Sequence, residues 1–216
     1  MFGQKNILDE PMKCFGTEYY APSGRYLNKE NAKFLLCTVK RVFEEHGIQI
    51  LISYGTLLGA IREHDFISHD SDMDTMIWAK DMEKALSLVP ELEKYGIKLR
   101  SYCLPWVFSF DYKGEGCDVD VLQEPVWPWK KRYCLASRMY IPRAFFENIA
   151  PLQFLGETFT APADPEKVLE YHYGKNWRIP SSRRGRIESY LFFWRYAHRY
   201  LQKWERRFKR HILKRK

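Results

Sequence analysis

The sequence predicts an α/β (α+β) domain, a mixed sheet flanked by helices, continuing into a basic amphipathic C-terminal helix. Three observations carry this expectation. Apolar runs of strand length alternate with runs of helical periodicity between Asn28 and Pro180. Of 216 residues, 45% are hydrophobic and 16% aromatic, enough for one ordinary domain with its own core. The net charge of +8 is unevenly placed: Arg178–Lys216 holds 14 Lys and Arg against two Glu, which leaves the other 177 residues at −4. We divide the chain into a lead-in (1–27), a domain (28–180) and a basic helical tail (181–216).

Each element has a local reason. Asn28 N-caps a helix to about Glu45, with Phe34, Leu35, Thr38, Val39 and Val42 on one face, and Gly47 ends it. Gln49–Tyr54 is a strand-length apolar run; Gly55 and Thr56 follow at once, ahead of a short helix over 57–62. Asp72–Trp78 reads as a strand. Asp81 caps a helix that Pro90 interrupts. Ile97–Tyr102, Val107–Tyr112 and Asp118–Leu122 are further strands, the last two joined by a turn at Lys113–Gly116. Residues 124–142, rich in Pro and Trp, are expected as a packed loop, followed by a short helix over Arg143–Ile149 and an extended stretch at Phe159–Pro162. Asp164 caps a helix through Tyr173, stopped by Gly174.

Composition excludes several classes. The aromatic content is too high for a disordered chain, and 12 Gly and 11 Pro exclude collagen-like and low-complexity types. No apolar run approaches the roughly 18 residues of a membrane span, and Met1–Phe15 has no apolar core of a secretory leader. The five cysteines, Cys14, Cys37, Cys103, Cys117 and Cys134, form no CxxC pair, so reduced thiols in a cytoplasmic protein are expected.

The carboxylates carry the chemistry. Asp70, Asp72 and Asp74 recur at every second position, which on a strand puts them on one face. A calcium loop with the same spacing fails at Thr75, where glycine is required, and at Asp81, where a bidentate Glu is expected. Asp120 lies inside the apolar run Val119–Leu122, where a buried carboxylate needs a partner. A cation held by Asp72, Asp74 and Asp120 satisfies all three, and hard oxygen ligands select Mg²⁺ or Mn²⁺. Asp118 shares the parity of Asp120 and is the weaker candidate. Gly55-Thr56, at the end of a strand and the start of a helix, suits a phosphate: glycine admits close approach, threonine donates, and the helix start favours negative charge. The order matches divalent-metal phosphoryl or nucleotidyl transfer.

Taken together, YGTLLGAIR (Tyr54–Arg62), FISHDSDMDTMI (Phe66–Ile77), VDVL (Val119–Leu122) and Phe154–Pro180 resemble the LicD/fukutin-type transferases of the nucleotidyltransferase-fold superfamily. Ser68, His69 and Ser71 depart from the family's Pro-Trp-Asp-Asp-Asp pattern, while Asp72 and Asp74 of its DxD are intact. The resemblance implies transfer of a phospho-alcohol, phosphocholine or a polyol phosphate, from a CDP-linked donor to a sugar hydroxyl of a surface or lipid-linked glycan. Asp72, Asp74 and Asp120 would then hold the metal, Gly55 and Thr56 the donor phosphate, and Arg62 would neutralise it.

His64 and His69 lie in the same region and are expected as loop histidines, and the Trp127–Trp129 cluster as loop packing. The tail places Leu191, Trp194, Leu201, Trp204, Phe208 and Ile212 at helical spacing, with Arg and Lys on the other side. The first half, to about Trp204, is expected to pack on the domain, whereas Trp204–Lys216 suits an anionic membrane surface, so peripheral association with the inner face of the cytoplasmic membrane is expected, and nucleic acid is not. The alternatives are a nucleotidyltransferase acting on a nucleic acid or small molecule, and a non-catalytic binding module of the same fold.

Overall fold

In the computed structural model, residues 13–15, 26–125, 131–136 and 139–180 are described. Asn28 Oδ1 accepts from the Asn31 N–H at 3.0 Å and opens helix α1, Lys29–Glu45. Leu35, Leu36, Val39, Val42 and Phe43 are its buried stripe. Phe34 stands at the edge of that stripe, 39% exposed, and packs on Tyr112 with ring centroids 4.5 Å apart. Gly47 leaves the helix at φ +69°, and the chain enters β2, Leu51–Ile52, after the N-terminal β1, Lys13–Phe15.

Helix α2 spans Tyr54–Arg62, so Gly55 and Thr56 occupy its first turn instead of a turn ahead of it. Next come β3 (Asp72–Trp78), a 3-10 turn (Ala79–Asp81), α3 (Met82–Ser87) and α4 (Val89–Glu93), with Pro90 in the first turn of α4. β4 (Lys98–Leu104), β5 (Val107–Tyr112) and β6 (Glu115–Leu122) form a meander. Two expectations change beyond this point. Part of the expected packed loop is a hairpin, β7 (Tyr133–Ala136) with β8 (Met139–Pro142), whose four-residue strands are too short to show a period. The expected helix over 143–149 shortens to α5, Ala144–Glu147, and Ile149 begins β9 (Ile149–Phe154), which pairs with β10 (Glu157–Pro162). Pro151 hides β9 in the sequence, and the structure accommodates it on an edge strand. Asp164 Oδ1 then accepts from the Lys167 N–H at 3.2 Å, capping α6 (Pro165–Tyr173).

Among the described residues the main sheet has eight strands in the order β1-β4-β5-β6-β3-β2-β10-β9. Neighbours run antiparallel except for β3 with β6 and β2 with β10. Alternation gives its centre two different faces. Met73, Thr75 and Ile77 of β3 lie on the same side as Cys117, Val119 and Val121 of β6 and Phe108 and Phe110 of β5, all buried. Helix α1 covers this side, with Phe43 edge-on to Phe110 at 6.1 Å. The opposite face presents Asp72, Asp74, Asp118 and Asp120.

Residues 1–169 and 170–216 are two units. In the second, Trp177 is buried beneath the Arg178 guanidinium, 4.2 Å from the ring centroid. The expected tail helix over 181–216, the Trp127–Trp129 cluster and most of the lead-in lie outside the described residues.

The cysteine expectation is corrected: Cys14 and Cys103 form a disulfide across paired positions of β1 and β4, 89 residues apart in sequence. Long separation conceals such a pair until the sheet brings the strands together. Cys37, Cys117 and Cys134 are free thiols.

Candidate active site

Register builds the site. β3 and β6 run side by side with Asp74 opposite Asp118 and Met76 opposite Asp120, so four carboxylates rise from two adjacent strands on one face. Asp70, just before β3, joins them: a Cβ on Gly55 would lie 2.5 Å from Asp70 Oδ2 and 3.1 Å from Asp74 Oδ2. Only a residue without a side chain lets α2 start this close to both.

Helix α2 is clamped to β3 from both directions. The Gly55 N–H donates to Asp74 Oδ2 at 2.8 Å, and the Asp74 N–H donates to Thr56 Oγ1 at 2.8 Å. Asp74 thus satisfies one of the helix's open N–H groups, the role an N-cap side chain normally fills. The actual N-cap, Ser53, makes no side-chain cap bond. Its N–H donates to the Asp74 carbonyl at 3.1 Å, continuing the β2–β3 register, so Ser53 and Asp74 project from the same face. Ser53 is 3% exposed and its hydroxyl makes no hydrogen bond within the described structure. Tyr54, between them, holds φ at +37°, a cost that the clamped junction sustains.

Crowding of like charges shows in the acidities. Burial pushes Asp70 up to about 6. Burial, then Asp70 and Asp118, push Asp72 up to about 6, against the weaker opposing pull of Arg100 and Ser71. Asp74 is raised well above the usual carboxylate range, by burial first and then by Asp72, Asp70, Asp118 and Asp120. Asp118 is raised by burial, against the opposing pull of Ser109 and Arg100. Ser109 Oγ donates to Asp118 Oδ1 at 2.5 Å, and Arg100 Nη2 lies 3.4 Å from the same oxygen. Asp120 is 6% exposed.

Among the described residues no three His, Cys, Asp or Glu side chains are gathered so as to hold a metal ion as they stand. The donor chemistry nevertheless fits a hard divalent cation: the groups are all carboxylates, buried together, and each raises the cost of ionising Asp74.

The structure brings Gly55, Thr56, Asp72 and Asp74 to one junction and carries Asp120 on the same face. Arg62 closes α2 at its other end, with Nε donating to Glu63 Oε1 at 2.8 Å. His64 and His69 are exposed in the segment between α2 and β3. Sequence reasoning passes over Ser53, Arg100 and Ser109. Ser109 carries a usable signal, since a hydroxyl opposite an aspartate in the β5–β6 meander is predictable from register.

A helix clamped onto an acidic strand of a mixed sheet defines the class: a nucleotidyltransferase-like domain. The chain belongs to the LicD/FKTN/FKRP family, whose nucleotidyltransferase domain matches residues 47–164. It is similar to the ribitol 5-phosphate transferase FKRP of Mus musculus, 24% identical over 187 residues that cover 76% of this chain and 37% of that protein. The Homo sapiens protein of the same name is 24% identical over 184 residues, with the same coverage. The chain therefore spans a little over a third of the length of these relatives. The solution structure of the antibiotic-resistance factor ANT(2'')-Ia shares the fold, with a TM-score of 0.51 at 16% identity over 85% of this chain and 99% of that one.

Proposed function

We propose that this domain is a divalent-metal-dependent phosphotransferase that moves a phospho-alcohol, a polyol phosphate such as ribitol phosphate or a phosphocholine-like group, from a CDP-linked donor to a sugar hydroxyl of a surface or lipid-linked glycan. The observation that carries the reading is the junction of α2 with β3, where carboxylates crowd against the start of a helix. Family membership supports the reaction class, and the relatives named for ribitol 5-phosphate transfer support a polyol phosphate as cargo.

Asp72, Asp74 and Asp120 are the residues that would hold Mg²⁺ or Mn²⁺, and the ion supplies charge neutralisation at phosphoryl oxygens when bound. The first turn of α2 and the Ser53 hydroxyl would receive a phosphate oxygen, since a helix start favours negative charge and the buried Ser53 hydroxyl beside it is an unspent donor. Thr56 keeps its hydroxyl proton available while its oxygen accepts from Asp74. The acceptor hydroxyl would attack the phosphorus that carries the alcohol, forming the new P–O bond as the bond to CMP breaks and the hydroxyl proton passes to water.

We further propose that the basic segment 181–216 meets an anionic membrane surface near a lipid-linked acceptor. No helix among the described residues is long and apolar enough to cross a membrane. The Cys14–Cys103 disulfide favours an oxidising side of that membrane over the cytoplasmic face expected from sequence.

The test is CMP release from CDP-ribitol, CDP-glycerol and CDP-choline with Mg²⁺ and a glycan acceptor. CMP release that needs both metal and acceptor supports the reading. Pyrophosphate release from ATP or CTP, with the CDP compounds inert, replaces it with nucleotidyl transfer.

A further inference from the structure

Three features meet at Arg100. In the β4–β5 ladder Leu99 faces Phe110 and Ser101 faces Ser109, so β4 fits in one residue more than β5 at Arg100. A bulge of this kind bends the strand and re-aims the side chain. The Arg100 side chain, 15% exposed, reaches across β5 to lie over Gly116 of β6, where a Cβ would fall 2.6 Å from Nη2. Any side chain at 116 would displace it. Nη2 stands 3.4 Å from Asp118 Oδ1, the oxygen that also accepts from Ser109. Gly116 is itself the register partner of Asp72, so the guanidinium charge enters at the edge of the carboxylate face.

We propose that Arg100 is a positioning residue that divides the carboxylate face: it neutralises Asp118 from within and leaves Asp72, Asp74 and Asp120 as the set that takes the divalent cation. The inference rests on the metal-dependent reading above. Its logic is electrostatic. Asp118 faces Asp74 directly, while Asp120 lies one alternation further along β6. Proximity alone would make Asp118 the preferred companion of Asp74. With Ser109 and Arg100 both on its Oδ1, Asp118 has one oxygen engaged, and a cation there would meet the guanidinium in a poorly solvated site.

The experiment measures Mn²⁺ binding to the full chain by calorimetry, with electron paramagnetic resonance counting bound ions, for wild type, R100Q, R100K, D118N and the R100Q/D118N double variant. Thermal unfolding without metal identifies which variants are folded. R100Q should bind Mn²⁺ at least about tenfold more tightly, or gain a second equivalent, because a competing charge has gone and a carboxylate is freed. R100K, which keeps the charge, should bind like wild type, D118N should stay within a few-fold, and the double variant should lose the gain. A merely structural arginine would not produce that pattern. The proposal is overturned if R100Q neither binds more tightly than wild type nor gains a second equivalent, or if D118N abolishes binding. If R100Q does not fold, R100K and D118N decide by the same criteria. Wild-type binding that R100Q leaves unchanged removes this inference alone. Failure of every form to bind Mn²⁺ removes the metal-dependent reading with it.

Discussion

Asp74 Oδ2 accepts the backbone N–H of Gly55 at 2.8 Å, so a carboxylate of the central strand also caps the helix that follows β2. One residue thereby sets both the charge of the site and the position of the helix start. Replacement of either partner separates those roles.

Gly55→Ala tests the close approach. The added methyl would lie 2.5 Å from Asp70 Oδ2 and 3.1 Å from Asp74 Oδ2, so the helix start or the carboxylates must shift. We expect a loss of stability of roughly 1–3 kcal/mol by denaturant unfolding and a larger proportional loss of transfer activity. Unchanged stability and activity would show that the junction is looser than its geometry.

Asp72→Asn, Asp74→Asn and Asp120→Asn should each cut CMP release by at least ~100-fold while circular dichroism stays native, as removal of an electrostatic element at a reacting centre usually does. Asp118→Asn should be milder, since Asp118 is held by Ser109 and Arg100. Activity within a few-fold of wild type for the first three would end the metal assignment.

Raised acidities give stability a pH sign. Asp70 and Asp72 stand at about 6 in the folded chain against an ordinary value of 3.8. Folding therefore favours their protonated forms. That contribution is complete below the ordinary value and is lost as pH rises through about 6. In chelator, stability by denaturant unfolding should fall between pH 4 and pH 7, by roughly 3 kcal/mol per group at most. Asp70→Asn should flatten that slope, and millimolar Mg²⁺ should restore stability at pH 7. A slope identical in wild type and Asp70→Asn would contradict the burial of this carboxylate.

The disulfide closes a loop of 89 residues that contains α1, β2, α2 and β3. Cross-linking a loop of that length restricts the unfolded chain by up to about 4–5 kcal/mol on the chain-entropy account. Reductant, or Cys14→Ser with Cys103→Ser, should lower the denaturant midpoint, and the double variant should no longer respond to reductant. Equal midpoints with and without reductant would show the two thiols unpaired in solution.

The basic segment makes a separate prediction. The full chain should pellet with anionic vesicles at low salt and be released at high salt, and a form ending at Lys203 should bind much less. Equal binding of the two forms would place the membrane contact elsewhere.

Local chemistry makes part of the fold legible in the amino-acid order. Asn28 names its helix, β5 is bounded as its alternation indicates, and the spacing of Asp72 and Asp74 puts them on one face. The order Tyr54-Gly55-Thr56 identifies the junction but not its detail, because the N–H that Asp74 captures depends on β3 lying beside β2. Pro151 conceals an edge strand, and β7 and β8 are too short to register a period. Arg100 is illegible for another reason. An extra residue in one strand of a ladder leaves no mark in composition or alternation, and only the paired strands reveal which way it points.

Pro151 and Cys14 have one more consequence in common. Each lies on an outermost strand of the eight, β9 or β1. A strand end with free N–H and C=O groups invites another chain to add on, the route by which sheets aggregate. Proline on β9 removes a donor at one border, and the short β1, covalently fastened, covers β4 at the other. Unfastening β1 would uncover β4 from Tyr102 to Leu104, turning loss of one covalent bond into a colloidal hazard.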